Sequence, residues 1–135
     1  MFMEYLSTEQ ENFFRQLSLE MVSITKKDEL KERNLFPLVQ TNNSIKTTIH
    51  CYEKRPEKVF NSRRVRFIVL FELYLTALNK GRIFFKEESY LIWLGRRFGF
   101  SEKEILDVFD LANEACSLFF TAKTFITQSN LLTSI

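Results

Sequence analysis

Hydrophobic side chains recur every three or four residues along much of the chain, which is the spacing of an amphipathic helix. Before the first such stretch, the run from Ser7 to Glu11 offers a Ser or Thr followed three residues later by Gln or Glu. This is a capping box, which marks the start of a helix. We therefore predict a first helix over residues 8–33, either continuous or broken near Thr25. Its apolar stripe consists of Phe13, Phe14, Leu17, Met21 and Ile24.

A second helix is predicted from Arg63 to about Asn79. Either Asn61 or Ser62 can act as its N-cap, because both side chains accept hydrogen bonds from the free N–H groups of a first turn. Apolar residues cover nearly the whole circumference of this helix, which is typical of a helix at the centre of its domain. They are Phe67, Ile68, Val69, Leu70, Phe71, Leu73, Tyr74, Leu75, Ala77 and Leu78.

A third helix is predicted from Lys86 to Arg97. Gly81 precedes it and suits a left-handed turn, Gly99 ends it, and Gly95 is expected on the side opposite the core. Its inner face carries Tyr90, Leu91, Leu94 and Phe98.

The last helix begins at a second capping box, Ser101 to Glu104, and carries two apolar stripes. The longer stripe comprises Ile105, Val108, Phe109, Ala112, Cys116, Phe119 and Ile126. The other stripe, with heptad spacing, comprises Leu111, Leu118 and Phe125. A chain of this size has few elements with which to cover both stripes. We therefore expect Leu111, Leu118 and Phe125 to contact a partner helix, which includes self-association as a homodimer, although the chain's own tail or first helix could serve instead.

The segment 35–60 does not show a helical period. Pro37 disfavours helix at the residue before it, and Asn42 to Ser44 is typical of a turn. One possibility is a short β-hairpin that pairs residues 36–41 with residues 45–52, where β-branched residues are frequent. The other is an irregular connection with a helical turn or two. Pro56 is expected to break any regular element.

Composition supports a mainly helical protein. The chain has 135 residues, of which 45% are hydrophobic, and contains 15 Phe but only 3 Gly. This composition excludes a disordered or collagen-like chain, and so few Gly residues argue against a sandwich of short strands with many tight turns. We predict a single all-α domain over residues 1–135, folded as a compact helical bundle.

Charge adds one feature, because the net charge of +2 is distributed unevenly. A basic cluster contains Lys54, Arg55, Lys58, Arg63, Arg64 and Arg66. These side chains could bind the phosphates of nucleic acid or of an anionic membrane surface. The alternative is a solvated surface that is partly neutralised by Glu53 and Glu57, since the total charge is low and no nucleic-acid-binding motif accompanies the cluster.

Residues with catalytic or metal-binding chemistry are sparse. His50 and Cys51 are adjacent, and neighbours on a strand point to opposite faces, so they are poorly placed for a nucleophile pair. Asp107, Asp110 and Glu114 share one face of the last helix, which we interpret as solvated. No phosphate-binding Gly loop, nucleophile elbow or metal-binding His motif occurs, so we expect neither an enzyme nor a cofactor or small-molecule substrate.

Cellular location is constrained only by general features. Two cysteines are too few for a disulfide framework, which favours a reducing cytoplasm. The first residues lack the basic and apolar regions of a signal peptide, and no apolar run reaches the ~20 residues that span a bilayer. We therefore expect a cytoplasmic protein.

About residues 63–120 resemble the TerB-like helical domain associated with tellurite resistance. That family often reads Ala-Asp-Gly-x-Ile-x-x-x-Glu, then an apolar helix, then Gly-Leu-Ser-x-x-Glu. The positions that match are Gly81, Ile83, Glu87, Gly99, Ser101 and Glu104. The resemblance implies an all-α fold.

One departure bears on function, because Lys80 stands where the family commonly has Asp. The family's acidic residues near this turn are associated with divalent ions, which a Lys ammonium repels. We therefore expect Glu87 to act in helix-start chemistry rather than as a metal ligand, since a carboxylate in the first turn is favoured by the helix dipole.

These observations predict a non-enzymatic helical interaction or scaffold domain, TerB-like, in a bacterial stress or phage-related context. The first alternative is an anion-binding module that uses the basic cluster. The second is a divalent-ion-binding domain, which rests on the family resemblance alone.

Overall fold

In a computed structural model of the chain, residues 1–32 and 55–133 are described, with side chains described for 1–24 and 55–128. Within these ranges the regular structure is entirely helical, as predicted, and includes no strand. The elements are a 3-10 turn Met3–Tyr5 and the helices α1 Thr8–Glu32, α2 Pro56–Val59, α3 Arg63–Leu78, α4 Phe85–Arg97 and α5 Glu102–Thr133. Helix α1 continues through Thr25. The hairpin considered for residues 36–41 and 45–52 lies outside the described residues.

Three helices begin as the sequence predicts, because their start signals are local. The Ser7 hydroxyl accepts from the Gln10 N–H, and the Gln10 side chain accepts from the Ser7 N–H, at 3.2 and 3.0 Å. The same reciprocal pair joins Ser101 and Glu104 at the start of α5. At α3, the Ser62 hydroxyl caps the helix by accepting from the Val65 N–H. Each pair satisfies backbone donors that a helix start leaves free.

Helix α3 lies at the centre of the bundle, as its apolar circumference predicts. It packs against α1, α4, α5 and the 3-10 turn. Its buried residues are Ile68, Val69, Leu70, Phe71, Glu72, Leu73, Tyr74 and Ala77. Glu72 is accommodated because its carboxylate accepts the Phe2 N–H at 2.7 Å, consistent with the rule that buried charges are hydrogen-bonded.

Glycines shape both ends of α4. Gly81 and Gly99 have positive φ angles of 111° and 87°, so both adopt the left-handed conformation expected of them. Gly95 was expected on the outer side, and this was wrong. A Cβ at Gly95 would lie 2.7 Å from Cγ1 of Ile105, so the missing side chain lets α4 and α5 approach closely.

Pro56 lies in the first turn of α2, so the break predicted at this residue is followed at once by a helix. Its missing N–H costs nothing there, because the first N–H groups of a helix have no partner within the helix. This short helix near the end of the segment 35–60 agrees with the alternative of an irregular connection that includes a helical turn or two.

Helix α5 leaves the core about halfway along its length. Ile105, Val108, Phe109 and Ala112 are buried, and Cys116 is half-buried. Phe119 and Ile126 continue the same stripe but are 59% and 61% exposed. The longer apolar stripe therefore faces the core only as far as Cys116. We call residues 102–116 the proximal half of α5 and residues 117–128 the distal half.

Candidate protein-contact surface

The distal half of α5 is exposed at every position. Five of its side chains are large and apolar, and each is more than half exposed. They are Leu118, Phe119, Phe120, Phe125 and Ile126. A helix in solvent normally exposes polar side chains around most of its surface. This segment instead has the apolar composition of a buried helix, although its side chains are exposed.

Four polar side chains of the distal half make contacts within the helix itself. The hydroxyls of Thr121, Thr124 and Thr127 each donate to the backbone carbonyl four residues earlier, at 2.9, 3.0 and 2.9 Å. The Lys123 ammonium lies over the Phe119 ring, 5.2 Å from its centroid. These internal contacts leave an essentially apolar outer surface.

The three residues predicted to contact a partner form one row along this surface. Leu111 is 47% exposed, Leu118 72% and Phe125 71%. Because seven residues complete two turns with only a small rotation, the row runs almost parallel to the helix axis. Leu111 lies beside buried Ala112, so the row begins at the edge of the bundle and continues away from it.

Three of the five described members of the basic cluster form contacts within the protein. Arg66 donates to the carbonyls of Phe60, Phe98 and Glu57 at 2.6, 3.3 and 2.6 Å, and thereby ties α2, α3 and the end of α4 together. This is a structural role that the sequence did not reveal.

Arg63 and Arg64 are exposed but also have partners. Arg63 forms an ion pair with Glu104 and lies over the Phe100 ring. Arg64 lies over the Tyr5 ring, 4.5 Å from its centroid. Arg55 and Lys58 are exposed, and Lys54 lies outside the described residues.

An acidic residue further reduces the charge near the cluster. Oε2 of Glu57 is 3.1 Å from Nε of Arg97. Burial raises the pKa of Glu57, but a backbone hydrogen bond and the Arg97 guanidinium lower it more, so the pKa lies below its usual 4.5. The carboxylate therefore stays ionised and opposes the positive charge around it.

Glu87 has the helix-start role that was expected of it. Its side chain is fully buried; Oε1 accepts the Phe84 N–H at 3.2 Å, and Oε2 is 2.6 Å from Nζ of Lys80. Both carboxylate oxygens are thus occupied. The Lys80 ammonium provides the positive charge that a buried carboxylate needs.

The remaining candidate residues form no reactive constellation in the described parts of the chain. Asp107, Asp110 and Glu114 are exposed along one face of α5. The described ranges contain no group of three or more His, Cys, Asp or Glu side chains that could hold a metal ion. His50 and Cys51 lie outside these ranges.

Sequence analysis did not identify Phe119, Phe120 and Ile126 as surface residues. A signal was present, because Lys123 is the only charged residue between Ala115 and Thr133. A shortage of charge is also expected of a buried helix, so it cannot by itself distinguish burial in the core from burial against a partner.

Comparisons with known proteins find no relative of this chain. No family model, no curated protein and no solved structure matches this chain. Within the residues that the structure describes, no helix combines the length and apolar character required to cross a membrane.

Proposed function

We propose that this protein is a non-enzymatic helical interaction domain that binds another protein surface through the distal half of α5. One observation carries the proposal: a helical segment that projects from the bundle exposes five large apolar side chains and has a single charge. Contiguous exposed apolar surface is uncommon on a monomer and usually marks a contact surface.

The composition of the segment supports a protein partner. The cores of protein interfaces are enriched in aromatic residues and depleted of charged ones. Phe119, Phe120 and Phe125 with one Lys fit that description, whereas a nucleic-acid surface requires several positive side chains.

The family resemblance adds a context but no ligand. TerB-like character over residues 63–120 would place the protein in a bacterial stress or phage-related setting, in the cytoplasm. The divalent-ion alternative lacks support at Glu87, because Lys80 pairs with that carboxylate.

A pair of aspartate substitutions tests the proposal. Leu118→Asp and Leu19→Asp change leucines of similar exposure, 72% and 65%, of which only Leu118 lies in the distal half of α5. We expect both variants to keep the wild-type circular dichroism spectrum. Leu118→Asp should weaken self-association by about 100-fold or more in light scattering, as is typical of a central interface residue, and Leu19→Asp should leave it unchanged. Unfolding of the Leu118→Asp monomer would show instead that Leu118 supports the fold.

Anion binding is the less supported proposal, since Arg63, Arg64 and Arg66, three of the five described members of the cluster, already contact other residues of the protein. A charge-reversed Arg55→Glu, Lys58→Glu variant tests it. If the cluster binds phosphates, the wild-type protein should bind DNA, RNA or anionic vesicles at low salt, and the variant should lose that binding. Absence of wild-type binding at low salt would exclude this function.

A further inference from the structure

Large and small residues alternate along the exposed row on α5. The positions Leu111, Ala115, Leu118, Ala122 and Phe125 are spaced by four, three, four and three residues. This is the spacing of the two core positions of a coiled coil. We call these five residues the α5 seam. Every residue of one core position is large, and every residue of the other is Ala. The seam is exposed apart from Ala115, which is half-buried.

This alternation fits one relative direction of two identical helices. In a parallel pair, each layer joins equivalent positions, so layers of two Ala residues would alternate with layers of two large residues. In an antiparallel pair, one kind of core position faces the other. Each layer then joins one large residue and one Ala, which fills the space evenly and lets the helices approach closely.

The register follows from the positions that are free to pair. One register places Phe120 of both copies at the same height along the axis, and we call the pair centred on Phe120. In this register Leu118 lies opposite Ala122 of the second copy, and Phe125 lies opposite Ala115. A shift by one heptad step toward the start of α5 would direct Phe125 at Val108, which is already buried in the bundle. The centred register pairs the four seam residues from Ala115 to Phe125, leaves Leu111 outside the pairing, and keeps the two bundles at opposite ends of the pair.

Charge also favours a second copy as the occupant. The seam contains no charged residue, and Lys123, the one charge of the distal half, lies outside it. Two copies therefore meet without repulsion between like charges. Between Leu118 and Phe125 the residues that flank the seam are uncharged, so a partner helix with the charged flanks that usually specify coiled-coil pairing would find no opposite charges there; Glu114 flanks only the part of the seam next to the bundle.

We propose that two copies of this chain associate through the α5 seam as antiparallel helices centred on Phe120. This inference rests on the proposed function and names its partner. The contact is isologous, since the same residues serve on both sides, so it closes at two copies.

Disulfide cross-linking tests the direction of the pair. The experiment uses the full chain with Cys51→Ser and Cys116→Ala, and adds either Ala115→Cys or Phe125→Cys. In the antiparallel register, Cys at position 115 lies opposite Cys at position 125 of the other copy. The two Cys residues at position 115 of the two copies are offset along the axis by the length of ten residues, about 15 Å. A disulfide needs a Cα separation of about 7 Å or less, so they cannot be joined.

The expected result is that an oxidised mixture of the two variants gives covalent dimers and neither variant alone does so. Dimers of each variant with itself would show parallel pairing and overturn the antiparallel arrangement, but would leave self-association through this surface intact. If Phe125→Cys does not assemble, a mixture of Leu118→Cys and Ala122→Cys, the other pair of opposed positions, replaces it with the same expected result. A wild-type protein that stays monomeric in light scattering at all concentrations would exclude a second copy as the occupant. Binding of a different protein, lost in Leu118→Asp, would then still support the proposed function.

Discussion

The two halves of α5 have similar apolar content and opposite surroundings. The proximal half is packed against α3 and α4, whereas no part of the described chain covers the distal half. Helix lengths explain the difference. Helix α5 has 32 residues, α3 has 16 and α4 has 13, which correspond to about 48, 24 and 20 Å. The central helices are too short to reach along the whole of α5. The comparison shows that an apolar stripe identifies a surface to be covered, but not what covers it.

The largest expected effect concerns a core residue of the proximal half. Phe109 is buried and stacks on Tyr74 with ring centroids 4.2 Å apart. Phe109→Ala should lower the free energy of unfolding by about 3–5 kcal/mol, because it removes a buried ring and leaves a cavity. In urea denaturation of the monomer, Phe125→Ala should change the free energy of unfolding by less than about 0.5 kcal/mol. Equal losses in the two variants would remove the distinction between the halves.

Close packing of the proximal half predicts the next effect. Gly95→Ala places a methyl group 2.7 Å from Ile105, so it should lower the free energy of unfolding by about 1–3 kcal/mol through overpacking. Ile105→Val in the same chain should recover part of this loss in thermal or urea unfolding. A stabilising Gly95→Ala, as expected for an uncrowded helix position, would contradict the close approach of α4 and α5.

The start of α5 predicts a smaller effect. Ser101→Ala removes the hydroxyl that accepts from the Glu104 N–H and should cost about 1 kcal/mol in chemical denaturation. Ser101→Asp, which retains an acceptor, serves as the control and should cost less. Equal losses in both variants would mean that the capping hydrogen bond does not stabilise α5.

The smallest expected effect is a pH dependence at the α3–α5 contact. Burial raises the pKa of Tyr74 above 10.0, with Glu88 and Asp110 adding to the rise and the Asn113 hydrogen bond opposing it. The unfolded chain therefore releases this proton at lower pH than the folded one. The stability that Tyr74 contributes is fully present below the unfolded pKa and is lost as pH rises through the folded pKa. Between about pH 9 and pH 11, the wild type should lose more unfolding free energy than Tyr74→Phe. If the unfolding free energies of the wild type and of Tyr74→Phe fell equally over this pH range, the raised pKa of Tyr74 would be contradicted.

The sequence predicted the features that depend on near neighbours. The caps at Ser7, Ser62 and Ser101 and the glycine turns require only residues a few positions apart. They can therefore be recognised from the sequence without knowledge of the tertiary structure. The central place of α3 also follows from its own pattern, because a helix that is apolar on all sides must be surrounded.

Features that depend on distant elements were not predictable in the same way. Gly95 faces the core because Ile105 lies against it, and Arg66 is structural because three carbonyls from separate segments converge on it. Phe119 and Ile126 continue the period of the core stripe, and only the lengths of α3 and α4 reveal that these two helices, which pack on α5, do not reach them. The row of Leu111, Leu118 and Phe125 was predictable as uncovered surface, whereas its partner remains a proposal.

Hydrogen–deuterium exchange along α5, recorded over a series of protein concentrations, tests the difference between its two halves most directly. We expect amides of the proximal half to be protected at every concentration, because they open only with the bundle. Amides of residues 117–128 should exchange rapidly in dilute protein and become protected as the concentration rises and copies pair. Protection of the distal half that is equally strong at all concentrations, in a protein that light scattering shows to be monomeric, would contradict the proposal that a second copy covers this surface.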